Sequence, residues 1–308
     1  MKRQSISTTQ LAEICGVSQG TVDRALNDRP GINPQTKQKI LAAAKAYGYR
    51  PNIHARSMAG GKSMLIGVVV FDLNNPFFPD VLNSITKYCS DRNYSTVVMV
   101  TDRDPEREIQ CIQNLYHMAV DGIVLYPVGA GESYGRFLQS LEIPVVTIGN
   151  RLENIPYAGL DNYQAMADAV SYAKEQGYEH LVYVKPSLKG SNTFAQDERL
   201  RAFREHTKDV SGVVTDLSGA EKALRSGKKN AWICPSDILA VRLLQKAQEK
   251  GVGLLGFDNI RLIDSMGLTL DSVSYDIALT AKQVADFIID GAPITRPIPH
   301  RIVKRGSI

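Results

Sequence analysis

No apolar run in the 308 residues is long enough to cross a membrane: the longest, Leu65 to Phe71, has seven, against the ~20 that a helical span needs. A basic-then-apolar leader is missing too, so the chain is expected to act in the cytosol. Cysteines are few, and Cys15, Cys89, Cys111 and Cys234 stand far apart, without the CxxC or Cys/His spacing of a zinc site; reduced, mostly buried thiols are expected. The five histidines, His54, His117, His180, His206 and His300, show neither triad nor metal spacing, and Asp102 and Asp104 read as a loop before a helix. Without a catalytic constellation the chain is expected to be no enzyme and to need no cofactor or metal. Gly60 to Ser63 ends like a phosphate-binding loop, but Arg56 stands where a glycine is required and a strand, not a helix, follows. Nucleotide binding there is rejected.

What is present is ordinary globular composition, 44% hydrophobic and 22% charged, in a length suited to one small domain and a larger one. The net charge of +4 is unevenly placed. Residues 1–62 hold ten Lys/Arg against Glu13, Asp23 and Asp28, a balance of +7 that leaves −3 for the remainder. A basic segment of that kind is suited to neutralising phosphates.

Within it, Ser7 can cap a helix with Leu11, Ala12 and Ile14 on one face, Gly16 breaks that helix, and Ser18 caps a second with Val22, Ala25 and Leu26 inward. Gln19, Gly20, Thr21, Asp23 and Arg24 are left outward, a face suited to a DNA major groove. Asn33-Pro34 opens a third helix that stops at Gly48. The three helices are expected to share a core of Leu11, Val17, Val22, Leu26, Ile32, Ile40, Leu41 and Tyr47. Residues 52–62 read as a hinge, with a short helix-permissive stretch from Ile53 to Ala59.

From Lys62 onward, strand-like and helix-like segments alternate. Strand-like runs are Leu65–Phe71, Ser95–Val100, Gly122–Tyr126, Val145–Ile148, Leu181–Val184, Val213–Thr215, Ala231–Cys234 and Leu254–Phe257. Between them lie helical patterns such as Phe78–Arg92, Arg107–Ala119, Met166–Gln176, Glu198–His206 and Ile238–Lys250. This order predicts α/β architecture with parallel sheets covered by helices. In such sheets a ligand sits beyond the carboxyl ends of the strands, so the residues just after each apolar run are the informative ones.

These motifs, taken in order, resemble the LacI/GalR family of transcriptional regulators over nearly the whole chain. The resemblance rests on Cys15-Gly-Val-Ser18, Thr21-Val22 and Arg24-Ala-Leu-Asn27. It continues through Thr36, Ile40, Gly48-Tyr-Arg-Pro-Asn52, Ala55-Arg-Ser-Met58, Ile66-Gly-Val-Val-Val70 and Asn75-Pro-Phe-Phe78. Asp121-Gly-Ile123, Asp161-Asn162, Arg199, Gly256-Phe-Asp-Asn259 and Arg305-Gly-Ser307 complete it. It implies a helix-turn-helix headpiece over residues 1–51, a hinge over 52–62, and a two-lobed domain of periplasmic-binding-protein type over 63–308. Lobe 1 is expected over about 63–160 and 276–292, and lobe 2 over about 161–275 and 293–308. The implied protein is a DNA-binding repressor, a homodimer on a pseudo-palindromic operator, controlled by a small molecule such as a sugar.

The expected DNA contacts are Ser7, Ser18, Gln19, Gly20, Thr21, Arg24, Asn27, Asn33, Thr36, Tyr49, Asn52, Ala55, Arg56 and Met58. Ser18 and Thr21 suit phosphates, and Arg24 suits a guanine edge. Gln19 and Gly20 stand at the family's operator-discriminating positions, and Met58 stands at that of its minor-groove wedge. Asp23 replaces the usual serine, either tethering Arg24 or another base or accepting from a cytosine amine. For the effector, Asp258 suits paired hydroxyls and Arg199 a forked contact; Asn75, Phe77, Asp161, Ser236 and Tyr275 are expected to line the same cleft. Ser236 replaces a usual asparagine and Ala165 a usual glycine, and the segment around Gly251–Leu255 is shorter than in the family. The rival readings are a pure small-molecule-binding protein and a doubly wound enzyme.

Overall fold

The computed structural model describes residues 6–26, 28–49, 61–186 and 192–308, and these divide into two compact units, Met1–Ser63 and Met64–Ile308. In the first unit, α1 (Thr8–Cys15) begins with a capping box: the Ser7 side chain accepts from the Gln10 amide, and the Gln10 side chain accepts from the Ser7 amide. Two otherwise orphaned N–H groups are satisfied in this way. Gly16 ends the helix with φ 65°, in the left-handed region that costs glycine least. Next come α2 (Gln19–Leu26) and α3 (Pro34–Ala46), the latter capped by Asn33 with proline in its first turn.

The shared core consists of Leu11, Ala12, Cys15, Val22, Ala25, Ile40 and Ala44, with Ile6, Val17, Leu26, Ile32, Ala43 and Tyr49 packed against it. Three of the expected inward residues are exposed instead: Ile14 at 42%, Leu41 at 43% and Tyr47 at 55%. The contact face of α3 runs along Ile40, Ala43 and Ala44, where alanines permit a close approach. Tyr47 falls past the end of the helix, and Tyr49 packs on the core in its stead.

The second unit holds two sheets. Strands β1 (Leu65–Val70), β2 (Ser95–Val100), β3 (Gly122–Leu125) and β4 (Val145–Thr147) form a parallel sheet in the order β2-β1-β3-β4. Its helices are α4 (Phe77–Ser90), α5 (Pro105–His117) and α6 (Glu132–Gln139). The second sheet joins β5 (His180–Val184), β6 (Ser211–Thr215), β7 (Asn230–Ile233), β8 (Gly253–Phe257), β9 (Asp271–Tyr275) and β10 (His300–Val303). Its order is β10-β9-β8-β7-β5-β6, parallel except where β10 pairs antiparallel with β9. It is accompanied by α7 (Asn162–Glu175), α8 (Phe194–His206), α9 (Asp237–Lys250) and the short α10 (Arg261–Ser265).

Strands β3, β5 and β8 are buried along their whole length, which is why they read as continuous apolar runs. The last helix, α11 (Ile277–Asp290), returns to the first sheet and packs on α4 and β4. A Cβ added to Gly122 would stand 2.5 Å from a methyl carbon of Ile288, so glycine lets this helix lie close against β3. Among the described residues, no helix is long and apolar enough to cross a membrane.

Candidate functional site

In the first unit, α2 presents Gln19, Gly20 and Arg24 as exposed residues, with Thr21 and Asp23 half-buried beside them. Ser18 accepts from the Thr21 amide at 3.2 Å, and its hydroxyl lies 2.9 Å from the Thr21 hydroxyl. These groups hold the start of the helix in place. The Gln19 carboxamide donates to Thr9, which ties the tip of the reading face to α1. Asp23 stands 3.1 Å from Arg29, so of the readings left open for this acid, the geometry gives a tether to a base, and that base is Arg29. Asn33 caps α3, Thr36 is half-exposed in its first turn, and the Tyr49 hydroxyl lies 3.2 Å from that of Thr8. Asn27, Asn52, Ala55, Arg56 and Met58 lie outside the described residues, as does the hinge apart from Gly61 and Lys62.

The second unit contains a cavity of about 160 Å³ between its two sheets. Its lining comes from the carboxyl ends of the strands: Phe71 after β1, Tyr126 after β3, Asn150 after β4, Ser236 after β7, Asp258 after β8 and Tyr275 at the end of β9. Of the expected effector residues, Asn75, Phe77, Arg199, Ser236, Asp258 and Tyr275 meet here. Asp161 does not. Its carboxylate accepts the Gln164 amide at 2.9 Å as the N-cap of α7, and the residue is exposed. The neighbouring Asn162 points inward in its place, accepting from Arg199 Nε at 2.9 Å.

Arg199 is buried in α8. Its Nη1 donates to the Pro235 carbonyl at 2.6 Å, and its guanidinium carbon stands 3.5 Å from the centroid of the Phe257 ring. Three contacts therefore fix the fork while it borders the cavity. Asp258 sits at φ 104° and Asn259 at φ 50°, left-handed backbone that strains a residue with a Cβ. Four bonds hold this turn: Asp258 N–H to the Val273 carbonyl at 2.9 Å, Asn259 N–H to Ser272 at 3.0 Å, the Asn259 amide to Ser274 at 3.3 Å, and Arg305 to the Asn259 carboxamide oxygen at 2.8 Å. Asp237 backs it, accepting from the Ile260 amide at 2.9 Å and the Ser272 hydroxyl at 2.6 Å.

Burial raises the Asp258 carboxyl well above the ordinary aspartate value; Arg199 opposes the rise and Asp237 adds to it. Asp237 is itself raised to about 7, mainly by burial. The wall facing Asp258 is aromatic. Phe71, Phe77 and Phe78 pack edge-on against Tyr126, and Phe77 lies 5.6 Å from Tyr275. Burial raises both tyrosine hydroxyls far above their ordinary value, so they stay protonated as hydrogen-bond donors. Such a cleft offers flat apolar faces on one side and a carboxylate with a guanidinium on the other. That combination suits a small polyhydroxyl ligand with an apolar ring face.

Sequence reading missed Phe71, Arg103, Tyr126 and Asn150. All four stand within three residues of a strand's end, so the strand-end rule applied to every run would have found them. Glu108 was missed as well. Fully buried, it accepts from the Val128 and Gly129 amides at 2.8 Å each and from the Tyr134 hydroxyl, and so fixes the loop that leaves β3.

A small helical unit with an exposed recognition helix, in one chain with a two-sheet unit that holds a ligand-sized cleft, defines a ligand-responsive DNA-binding regulator. Two family profiles match the chain: bacterial regulatory proteins, lacI family, over residues 9–52, and periplasmic binding proteins and sugar binding domain of LacI family, over residues 63–260. The protein belongs to the LacI family and is a DNA-binding transcriptional regulator controlled through an effector domain. It is 27% identical over 331 residues to catabolite control protein A of Staphylococcus epidermidis (strain ATCC 12228 / FDA PCI 1200), covering 98% of this chain and 99% of that one. To the sucrose operon repressor of Pediococcus pentosaceus it is 29% identical over 286 residues, covering 87% and 86%. The fold matches that of the lac repressor dimer bound to operator and the anti-inducer ONPF, with a TM-score of 0.82 at 17% identity and 99% of each chain covered.

Proposed function

We propose that this regulator is a repressor that works in the cytosol as a homodimer on a two-fold symmetric operator, with a sugar or related polyol held in the cleft by Asp258 and Arg199. The observation that carries the effector site is the meeting, in one cavity between the two sheets, of a buried carboxylate and a buried guanidinium with an aromatic wall opposite. Asp258 accepts a pair of ligand hydroxyls, Arg199 donates its fork, and Phe77 and Tyr275 cover the apolar face. Asn75 and Ser236 complete the lining; Asp161, capping α7, is left out of the set.

On the DNA side, Gln19, Gly20 and Arg24 read base edges. Ser7, Ser18, Thr21, Asn33, Thr36 and Tyr49 position the backbone, and Asn27 and the hinge residues Asn52, Ala55, Arg56 and Met58 complete the contact set. Lining from both sheets means that a ligand binds one lobe arrangement better than another, and that differential affinity shifts the DNA-binding state. Catalysis has no place in this scheme, since the cleft groups bind and orient.

The test is selection of DNA sites from a random pool, followed by calorimetry with sugars on the full chain. A two-fold symmetric consensus and a sugar that changes its affinity support the assignment. A failure to enrich any site at low salt, where phosphate contacts are strongest, counts against the DNA role. A ligand whose affinity is indifferent to Asp258→Asn counts against the cleft.

A further inference from the structure

The cleft contains a third charged group that none of these roles uses. Arg103 lies in the loop between β2 and α5, on the lobe opposite Asp258 and Arg199, and borders the same cavity. Its guanidinium carbon stands 3.9 Å from the centroid of Phe71, and that ring packs edge-on against Phe78 at 4.6 Å. The group is thus held, half-buried, against the aromatic wall.

Three carboxylates lie near Arg103, and each is engaged elsewhere. Asp102 pairs with Arg107. Asp104 accepts the Glu106 and Arg107 amides as the N-cap of α5. Asp72 accepts the Asn74 amide at 2.7 Å and acts on Arg103 only through its field. Arg103 has no ion-pair partner among the described residues. Its backbone is left-handed at φ 62°, directly after Asp102 at φ 54°, so the loop holds it in a conformation that local preference alone does not favour. Among the described residues, the charged lining of the cavity is two guanidiniums, Arg103 and Arg199, against one carboxylate, Asp258. A neutral ligand leaves the half-buried Arg103 without an opposite charge, whereas an anionic one supplies that partner with charge-assisted bonds.

We propose that the ligand of this cleft is anionic: a polyhydroxyl compound whose phosphate or carboxylate is received by Arg103 on one lobe while its hydroxyls meet Asp258 and Arg199 on the other. The proposal rests on the assignment of the cleft as the effector site. It also makes Arg103 the residue that selects charged over neutral ligands and ties the two lobes across the cavity.

The test is calorimetry on the full chain with hexoses and pentoses, their phosphates, the corresponding aldonates, and inorganic phosphate alone. Wild type, Arg103→Gln and Asp258→Asn are compared. An anionic member is expected to bind about tenfold or more tightly than its neutral parent, the size of one charge-assisted contact. Arg103→Gln is expected to remove that margin while retaining the neutral parent's affinity, and Asp258→Asn to weaken both. The phosphate and aldonate arms identify the anion, and inorganic phosphate alone is expected to bind far more weakly than the phosphorylated sugar. A neutral parent that binds as tightly as its charged forms, or a margin that survives Arg103→Gln, overturns the role of Arg103 and leaves the cleft standing. Affinities unmoved by Asp258→Asn, or no binding by any compound, overturn the cleft assignment and this proposal with it.

Discussion

The guanidinium of Arg199 stands 3.5 Å from the ring centroid of Phe257, the last residue of β8, one position before Asp258. The two charges lining the cavity therefore share a support: the strand that delivers the carboxylate also provides the face on which the arginine rests. Asn162 and the Pro235 carbonyl hold Nε and Nη1, so the fork reaches the cavity already oriented. Little conformational entropy remains to be lost when a ligand binds, which is the advantage of preorganisation.

Arg199→Lys keeps the charge but loses the planar fork and its ring contact, so effector affinity is expected to fall by roughly 1.5–3 kcal/mol, the worth of hydrogen bonds to a charged group. Operator binding by the ligand-free protein is expected to change little. Calorimetry with the best-binding sugar and fluorescence anisotropy with operator DNA measure the two separately.

A carboxylate that accepts hydroxyls must be ionised, and burial raises the Asp258 carboxyl well above the ordinary aspartate range. Effector affinity is expected to weaken as pH falls through that raised value, at a higher pH than an ordinary aspartate would require. Titrations with an uncharged sugar between about pH 8 and about pH 5 check this, and an affinity independent of pH would contradict it.

Asp237, raised to about 7 in the native state from an ordinary 3.8, controls stability in the opposite sense to a salt-bridged aspartate. Between these values the native chain holds a proton that the unfolded chain has released. Stability of the large unit is therefore expected to fall as pH rises from about 4 to about 7, by up to roughly 4 kcal/mol. Trp232, the single tryptophan, is fully buried in that unit with its indole N–H on the Ala220 carbonyl, so its fluorescence reports unfolding by denaturant. Asp237→Asn is expected to flatten the dependence, and an unchanged slope would remove Asp237 as its source.

Arg24 is exposed on α2. Arg24→Ala is expected to cost roughly 1–3 kcal/mol on the preferred operator and to relax preference at one base pair. A uniform loss over all sequences in competition binding would make it a phosphate contact instead.

The Asp23–Arg29 pair is open to solvent, with Arg29 exposed and Asp23 half-exposed, so Asp23→Asn is expected to change headpiece stability by less than about 1 kcal/mol. Removing the acid leaves Arg29 available to phosphate, and affinity for non-specific DNA is expected to rise, with a steeper dependence on salt. Anisotropy over a salt series measures both.

Much of this was legible in the chain itself. Ser7, Gly16, Ser18 and Asn33-Pro34 place the three short helices because caps and a left-handed glycine are local matters, decided within a few residues. The central strand runs of the large unit, β3, β5 and β8, were legible for a different reason: a strand buried on both faces has to be apolar almost throughout. β9 escaped notice because Asp271 and Ser272 are polar yet fully buried, with Asp271 satisfied by the amides of Arg305, Gly306 and Ser307 and by the Tyr172 hydroxyl, and Ser272 by Asp237.

The sequence alone therefore determined the three headpiece helices, the basic headpiece and the alternation of strands and helices that follows, because capping, periodicity and charge are written residue by residue, while the joint choice of Asp258 and Arg199 came from the family resemblance. Tertiary structure alone decided which face of α3 is buried, that Asp161 caps while Asn162 turns inward, and that Asp23 reaches Arg29. It also decided that Arg103 enters the cleft on the far lobe without a partner. Each of these depends on where distant segments approach one another, and on which donor reaches an acceptor first, and no local pattern encodes that.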